Sequence, residues 1–227
     1  MDGKKRVVPV RWWITFWLFA SYVVWYLDRT NISVASIAMQ AELGWTETDK
    51  GKVLSAFFVG YLMLMAVCGA LANRYGGWLV LGIAVLWWSA WTMLTPPAAM
   101  MSLSALIVAR IALGLGEAAV FPASINMIGR WVPAERRSRA TALLVSAISL
   151  GTVFSLPVTG WLVREYGWHL PFYLFGAVGL AWYLAWFLFA RGDSPQLEAR
   201  AAETGQRAIP WGRLLGLPAE RRAPASW

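Results

Sequence analysis

The sequence predicts an all-α membrane protein: six transmembrane helices arranged as two inverted three-helix units. Three observations predict it. Hydrophobic residues make up 59% of the 227 and charged residues only 14%, too few to clothe an ordinary water-soluble surface. Six segments, approximately 12–39, 52–72, 78–95, 101–128, 139–163 and 169–190, are long and apolar enough to cross about 30 Å of hydrocarbon. A short signature at the end of the second segment returns at the end of the fifth.

Span 1 follows Lys4-Lys5-Arg6 and is interrupted by Asp28-Arg29. A basic start before an apolar run also suits a signal peptide, but no small-residue cleavage site follows and the run resumes over 32–39, so an uncleaved span is expected. Span 2 holds Cys68, the single cysteine, which reads as a small buried residue because it has no internal partner. Span 3 ends at 95, and a turn over 95–100 on the outer side is expected to follow it. Span 4 contains Arg110 and Glu117, with Gly114, Gly116, Ala118 and Ala119 supplying the small surface of a close helix contact. Spans 5 and 6 meet at a turn over 164–168, and the lone His169 belongs to that loop edge. Many of the sixteen Trp lie at span ends, as Trp12, Trp13, Trp45, Trp78, Trp131, Trp161 and Trp168 do, in the manner of an interfacial belt.

Residues 1–190 thus form one membrane domain. The tail, 191–227, is rich in Ala, Arg, Gly and Pro and is expected to be a disordered cytoplasmic segment with a short interfacial helix near 209–215.

The repeat is specific in register. Gly69-Ala-Leu-Ala-Asn-Arg-Tyr-Gly76 and Gly160-Trp-Leu-Val-Arg-Glu-Tyr-Gly167 share Gly, Leu, Tyr and Gly at a constant offset of 91. The same offset brings Asp28 to within two residues of Glu117. Three spans separate the copies, so their topologies are inverted, as in the 3+3 repeats of secondary transporters.

The net charge of +8 suggests nucleic acid until its distribution is read. Lys4, Lys5, Arg6, Arg11, Arg74, Arg130, Arg136, Arg137, Arg139 and the six tail arginines fall on one side of the six spans. Only Lys50, Lys52 and Arg164 fall on the other. The positive-inside rule therefore puts both termini in the cytoplasm of a multi-pass cell-membrane protein, with a bacterial inner membrane expected, and no nucleic-acid partner.

The buried charges carry the chemistry. A charge at membrane depth costs about 2.5–3.5 kcal/mol on insertion scales and is retained where it meets partners or a watery cavity. Arg110 and Glu117 are seven residues apart and share a helix face; Asp28 and Asn31 share another, with Arg29 about a quarter turn away. Two carboxylates and two guanidiniums converge if spans 1 and 4 meet. Desolvation and ion pairing pull a carboxylate in opposite directions, and water or substrate shifts that balance, as proton coupling requires. Arg stays charged and offers a fork for a ligand carboxylate. The alternative is a structural ion-pair network between the two spans. Tyr26 and Tyr61 suit substrate hydrogen bonding and packing equally, and Asn126 is a weaker candidate.

These residues resemble the N-terminal six-helix half of a major facilitator superfamily transporter of the anion:cation symporter family. The resemblance covers roughly 11–195 and rests on Tyr26-Leu-Asp-Arg-Thr-Asn31, the 69–76 segment, Arg110-Ile-Ala-Leu-Gly-Leu-Gly-Glu-Ala118, Phe121-Pro-Ala123, Trp131-Val-Pro133 and Glu135-Arg-Arg137. It implies that Asp28 and Glu117 are proton-linked carboxylates, that Arg29 takes the substrate's carboxylate and that Arg110 pairs near Glu117. Tyr26 and Tyr61 then line the substrate cavity, and Asn31 joins them as a substrate-binding candidate. Gly69, Asn73, Arg74 and Gly76 match the gating motif, but the family has Asp where Asn73 stands and a basic residue near Gly77-Trp78 that is absent here.

The expected activity is proton-coupled symport of a small organic anion, such as a sugar acid or aromatic carboxylate, without cofactor or metal. No enzyme motif of the Gly-x-Ser-x-Gly or His-Glu-x-x-His kind is present. The family uses twelve spans, so the resemblance implies a missing C-terminal six-helix half as partner. Residues 209–215 are similar to the approach to a seventh span, and 218–227 are hydrophilic. The competing expectation is a transport-incompetent half that acts only by associating with another.

Overall fold

The computed structural model describes residues 10–190, and the tail expectations for 191–227 lie outside them. Seven helical segments build the described part: α1 (Val10–Leu43), α2 (Glu47–Tyr75), α3 (Gly77–Met101), α4 (Leu103–Glu117), α5 (Val120–Trp131), α6 (Ala134–Tyr166) and α7 (His169–Phe189). Helices α2, α3, α6 and α7, and α4 with α5 taken together, are long and apolar enough to cross a membrane. With α1, 34 residues long and bearing the Asp28-Arg29 pair, they make six spans.

Two boundaries differ from the sequence expectation. Span 3 continues through Pro96 and Pro97 to Met101, so the expected 95–100 turn is helix. Ser102 is what separates the helices. Its backbone is extended, and its hydroxyl accepts the Ala105 N–H at 3.1 Å, capping α4. Span 4 is broken after Glu117, where Ala118 and Ala119 form a turn. The cause is Pro122, in the first turn of α5: it has no N–H, and its ring crowds the carbonyl four residues back, that of Ala118.

Packing follows the repeat. In the offset register α1 corresponds to α4–α5, α2 to α6 and α3 to α7. Accordingly α1 packs on α6 as α4 packs on α2, and α3 packs on α4 as α7 packs on α1. Gly60 on α2 and Gly151 on α6, also 91 apart, mark the two equivalent crossings. A Cβ at Gly60 would stand 2.0 Å from the Ile111 carbonyl oxygen, and one at Gly151 would stand 2.7 Å from Tyr26 Cβ. Gly114 answers from α4, where a Cβ would meet the Phe57 carbonyl oxygen at 2.1 Å, so the close-packing role read for span 4 holds. The repeated signature ends both α2 and α6 on a glycine in a matching positive-φ conformation that a side chain would disfavour, Gly76 at φ +88° and Gly167 at φ +86°.

Two apolar clusters fill the bundle. One gathers Trp17, Trp25, Trp88, Trp182 and Trp186 towards the α1 N-terminal end, and the other gathers Ile32, Met39, Leu106, Trp168 and Phe172 towards the opposite end. Residues 28–31 of α1 and Arg110 of α4 fall between them in depth. Large apolar side chains such as Ile37, Leu62, Met63, Val153 and Leu188 are more than half exposed, a surface suited to hydrocarbon rather than water.

Candidate functional site

The centre of the site is an ion pair between spans 1 and 4. Arg29 Nη1 stands 3.5 Å from Glu117 Oε2; Glu117 is fully buried, whereas Arg29 keeps 21% of its side-chain surface exposed. Trp25, one turn before Arg29 and on the same face, donates its indole N–H to the same Oε2 at 2.5 Å. Glu117 Oε1 is buried without a hydrogen-bond partner.

Aromatic rings hold the guanidinium of Arg29. Its Cζ lies 5.3 Å from the Trp25 ring centroid, 4.8 Å from Phe57, 5.6 Å from Phe58 and 5.0 Å from Tyr61. Arg has a flat, weakly hydrated cation that suits such ring contacts, and desolvated ones are worth about 2 kcal/mol. Phe57 and Tyr61 are four apart on α2 and stack on each other at 5.8 Å. The Gly60–Gly114 contact sets how near these rings come to α4.

Arg110 is 4% exposed, its Cζ lies 5.3 Å from the centroid of the same Phe57 ring, and it has an unpartnered Nε. It sits in the electrostatic field of Glu117, Asp28 and Arg29 without a direct ion pair among the described residues. Glu117 is thus paired directly with Arg29, while Arg110 acts at longer range.

Among the described residues, Asp28 bonds to α3 rather than pairing with an arginine. It is 5% exposed, and its Oδ2 lies 2.6 Å from Thr92 Oγ1 on α3. Asn31, one turn on, is fully buried with both amide atoms unpartnered. Tyr26 is half-buried and packs edge-on against Trp25 at 5.0 Å. Tyr61 reaches Arg29 and, with Tyr22, Trp25, Phe121, Leu144 and Ile148, lines a recess of about 240 Å³ on the N-terminal side of Arg29.

The 69–76 motif is tied down by side-chain amides and one arginine, with no ion pair among the described residues. Asn126 Nδ2 donates to Asn73 Oδ1 at 2.8 Å, and Asn126 Oδ1 accepts the Gly77 N–H at 3.1 Å. Arg130 donates to the Asn73 carbonyl at 3.3 Å, and Arg74 stacks on neighbouring Tyr75 at 5.3 Å. Gly69 has only Pro122 Cβ near its open side, at 3.9 Å, and Gly76 supplies the α2 terminus. Asn126, weak in the sequence, therefore clasps α5 to the α2–α3 turn. His169 begins α7 and stacks on Trp168 at 3.7 Å.

Trp25, Phe57, Phe58 and Thr92 escaped sequence reasoning. Trp25 and Arg29 at i and i+4 were one available signal. Another was the buried stripe Ser89, Thr92 and Thr95, the polar side chains at three-residue spacing inside apolar α3.

A pseudo-symmetric six-span bundle built of two inverted three-helix units is the architecture of one half of a membrane transporter fold. The chain belongs to the Major Facilitator Superfamily, whose family model matches residues 18–223. It is 37% identical over 222 residues to the ascorbate transporter, chloroplastic, of Arabidopsis thaliana, covering 92% of this chain and 41% of that protein. The sodium-dependent phosphate transport protein 1, chloroplastic, of the same plant is 37% identical over 222 residues, covering 92% and 43%. Both are anion transporters by name, in keeping with the anion:cation symporter resemblance. Among solved structures, a bacterial homolog of the human lysosomal transporter Spinster, inward-facing and occupied, superposes with a TM-score of 0.71 at 22% identity, covering 82% of this chain and 45% of that one. The chain spans about two-fifths of the length of the curated relatives it matches.

Proposed function

We propose that the chain is the N-terminal half of a proton-coupled symporter of small organic anions, such as sugar acids or aromatic carboxylates. The observation that carries this reading is the Arg29–Glu117 pair at 3.5 Å, with Glu117 buried and Arg29 partly open. An incoming carboxylate needs the guanidinium that Glu117 occupies. Two anions on one half-buried cation leave excess negative charge in a medium that penalises it. Protonating Glu117 removes the competitor and frees the fork of Arg29 for the ligand. Anion and proton therefore enter together and leave together. Asp28 carries a second coupling proton, and Arg110 holds positive charge behind both carboxylates. Tyr26, Tyr61 and Asn31 contribute to the wall of the substrate cavity.

A second six-helix half supplies the opposite wall, and substrate sits between the two. The Lys and Arg asymmetry supports an orientation with both termini, the 75–77 turn and the 131–134 turn on the cytoplasmic side of the cell membrane.

The test is uptake into proteoliposomes by the chain completed with a second half from a relative. Glu117→Gln mimics the protonated acid: counterflow exchange of the anion should persist, while accumulation driven by an inward proton gradient should be lost. Undiminished accumulation by Glu117→Gln would remove Glu117 from coupling.

A further inference from the structure

Asp28 and Arg29 are chain neighbours with opposite surroundings. Arg29 meets Glu117 and the open face, while Asp28 is packed against α3. Thr92 Oγ1 lies 2.6 Å from Asp28 Oδ2 and 2.9 Å from the Trp88 carbonyl oxygen. Both distances fit O–H···O hydrogen bonds. A hydroxyl carries one proton to donate and two lone pairs with which to accept, so it serves only one of these oxygens as donor at a time.

The two neighbours match the two states of the acid. With Asp28 ionised, Thr92 donates to Oδ2. With Asp28 protonated on Oδ2, the acid donates to Thr92 Oγ1 and the threonine proton rotates to the Trp88 carbonyl. The second arrangement is the back-bond that Thr95 makes to the Trp91 carbonyl at 2.9 Å, along the same stripe of α3. No heavy atom moves between the states, and neither strands a buried donor or acceptor, an omission that costs about 1–3 kcal/mol.

We propose that Thr92 is the positioning residue of a proton site at Asp28, a rotating hydroxyl that satisfies the carboxylate and the carboxylic acid alike. A proton from water forms one O–H bond on Oδ2 and later returns to water, and the surrounding helices need no repacking. The inference rests on the reading that Asp28 takes a coupling proton. Arg110 and Glu117 of α4 are the charged groups that face Asp28 across the interior, with Arg29 beside it on α1. α3 contributes no ionisable side chain.

Infrared difference spectroscopy of the carboxylic C=O stretch tests this on the reconstituted 227-residue chain as pH is stepped from neutral to acid. The Asp28 band is the one missing from Asp28→Asn, and the Glu117 band the one missing from Glu117→Gln. Thr92→Val, close in shape, should shift the Asp28 band to higher frequency because its O–H loses an acceptor, and should leave the Glu117 band in place. Thr92→Ser should return the band to its original position, and Thr92→Ala replaces valine if that variant does not reconstitute. An Asp28 band unmoved in Thr92→Val, or one not restored by Thr92→Ser, overturns the role of the hydroxyl. Spectra in which Asp28→Asn removes no band overturn the underlying reading instead.

Discussion

Replacing Gly60 by alanine places a methyl group 2.0 Å from the Ile111 carbonyl oxygen, 2.9 Å from its carbon and 3.1 Å from the Leu115 nitrogen. All three are backbone atoms of α4, so no side-chain rotation relieves the clash. Reaching even 3.0 Å requires α2 and α4 to part by about 1 Å, and overpacking of this kind costs about 1–3 kcal/mol. The separation also draws the Phe57, Phe58 and Tyr61 rings of α2 away from Glu117 at the end of α4, so Arg29 cannot keep both sets of contacts. Gly160→Ala is the control, since nothing lies within 4 Å of its added methyl. There the helix propensity of alanine, about 1 kcal/mol better than glycine, should dominate. Reversible unfolding in mixed detergent micelles compares the two. Gly60→Ala should be destabilised and Gly160→Ala neutral or stabilised, with Gly114→Ala following Gly60→Ala. Equal stability of Gly60→Ala and Gly160→Ala would refute the close crossing of α2 and α4.

Trp25→Phe keeps a ring against Tyr22 and Tyr26 but deletes the N–H bonded to Glu117. A hydrogen bond to a charged group is worth about 1.5–3 kcal/mol, and the same micelle assay should show a loss of that order. Arg29→Lys keeps the charge but loses the flat fork, so anion binding by the completed carrier, measured by calorimetry, should weaken about tenfold or more. Asn126→Ala leaves Asn73 Oδ1 and the Gly77 N–H without their partner. Amide hydrogen exchange at residues 76–78 should accelerate, with exchange at 110–117 unchanged.

Fold and site were legible in the sequence to different depths. The charged residues 28–29, 110 and 117 stood out because each contradicts its apolar run, and the bundle encloses all of them. The Gly69–Gly76 echo predicted inverted units, and Gly60 with Gly151 shows the same register in three dimensions. What escaped notice depends on neighbours distant in sequence. Trp25 is one tryptophan among sixteen until Glu117, 92 residues away, accepts the hydrogen bond of its indole N–H. Asn126 gains meaning only from Asn73 and Gly77. The apolar run of span 3 fades at 95, yet the helix carries Pro96 and Pro97 on to Met101 and gives way only at Ser102, whose extended backbone and hydroxyl cap the next helix. Pro122 stands out in the sequence only as part of the Phe121-Pro-Ala123 resemblance, and its effect on Ala118 shows in the break between α4 and α5.

That break has a mechanical meaning. Above it, α4 is locked backbone to backbone on α2 through Gly60 and Gly114; below it, α5 is fastened to the α2–α3 turn by Asn126 and by Gly77, where a Cβ would meet the Ala123 carbonyl oxygen at 2.3 Å. A rod clamped at both ends and thinned in the middle bends at the thin point. The Ala118-Ala119 turn is that point, and Glu117 is the last residue before it. Any tilt of one clamp against the other is therefore delivered, with little loss along the stiff segments, to the carboxylate that holds Arg29.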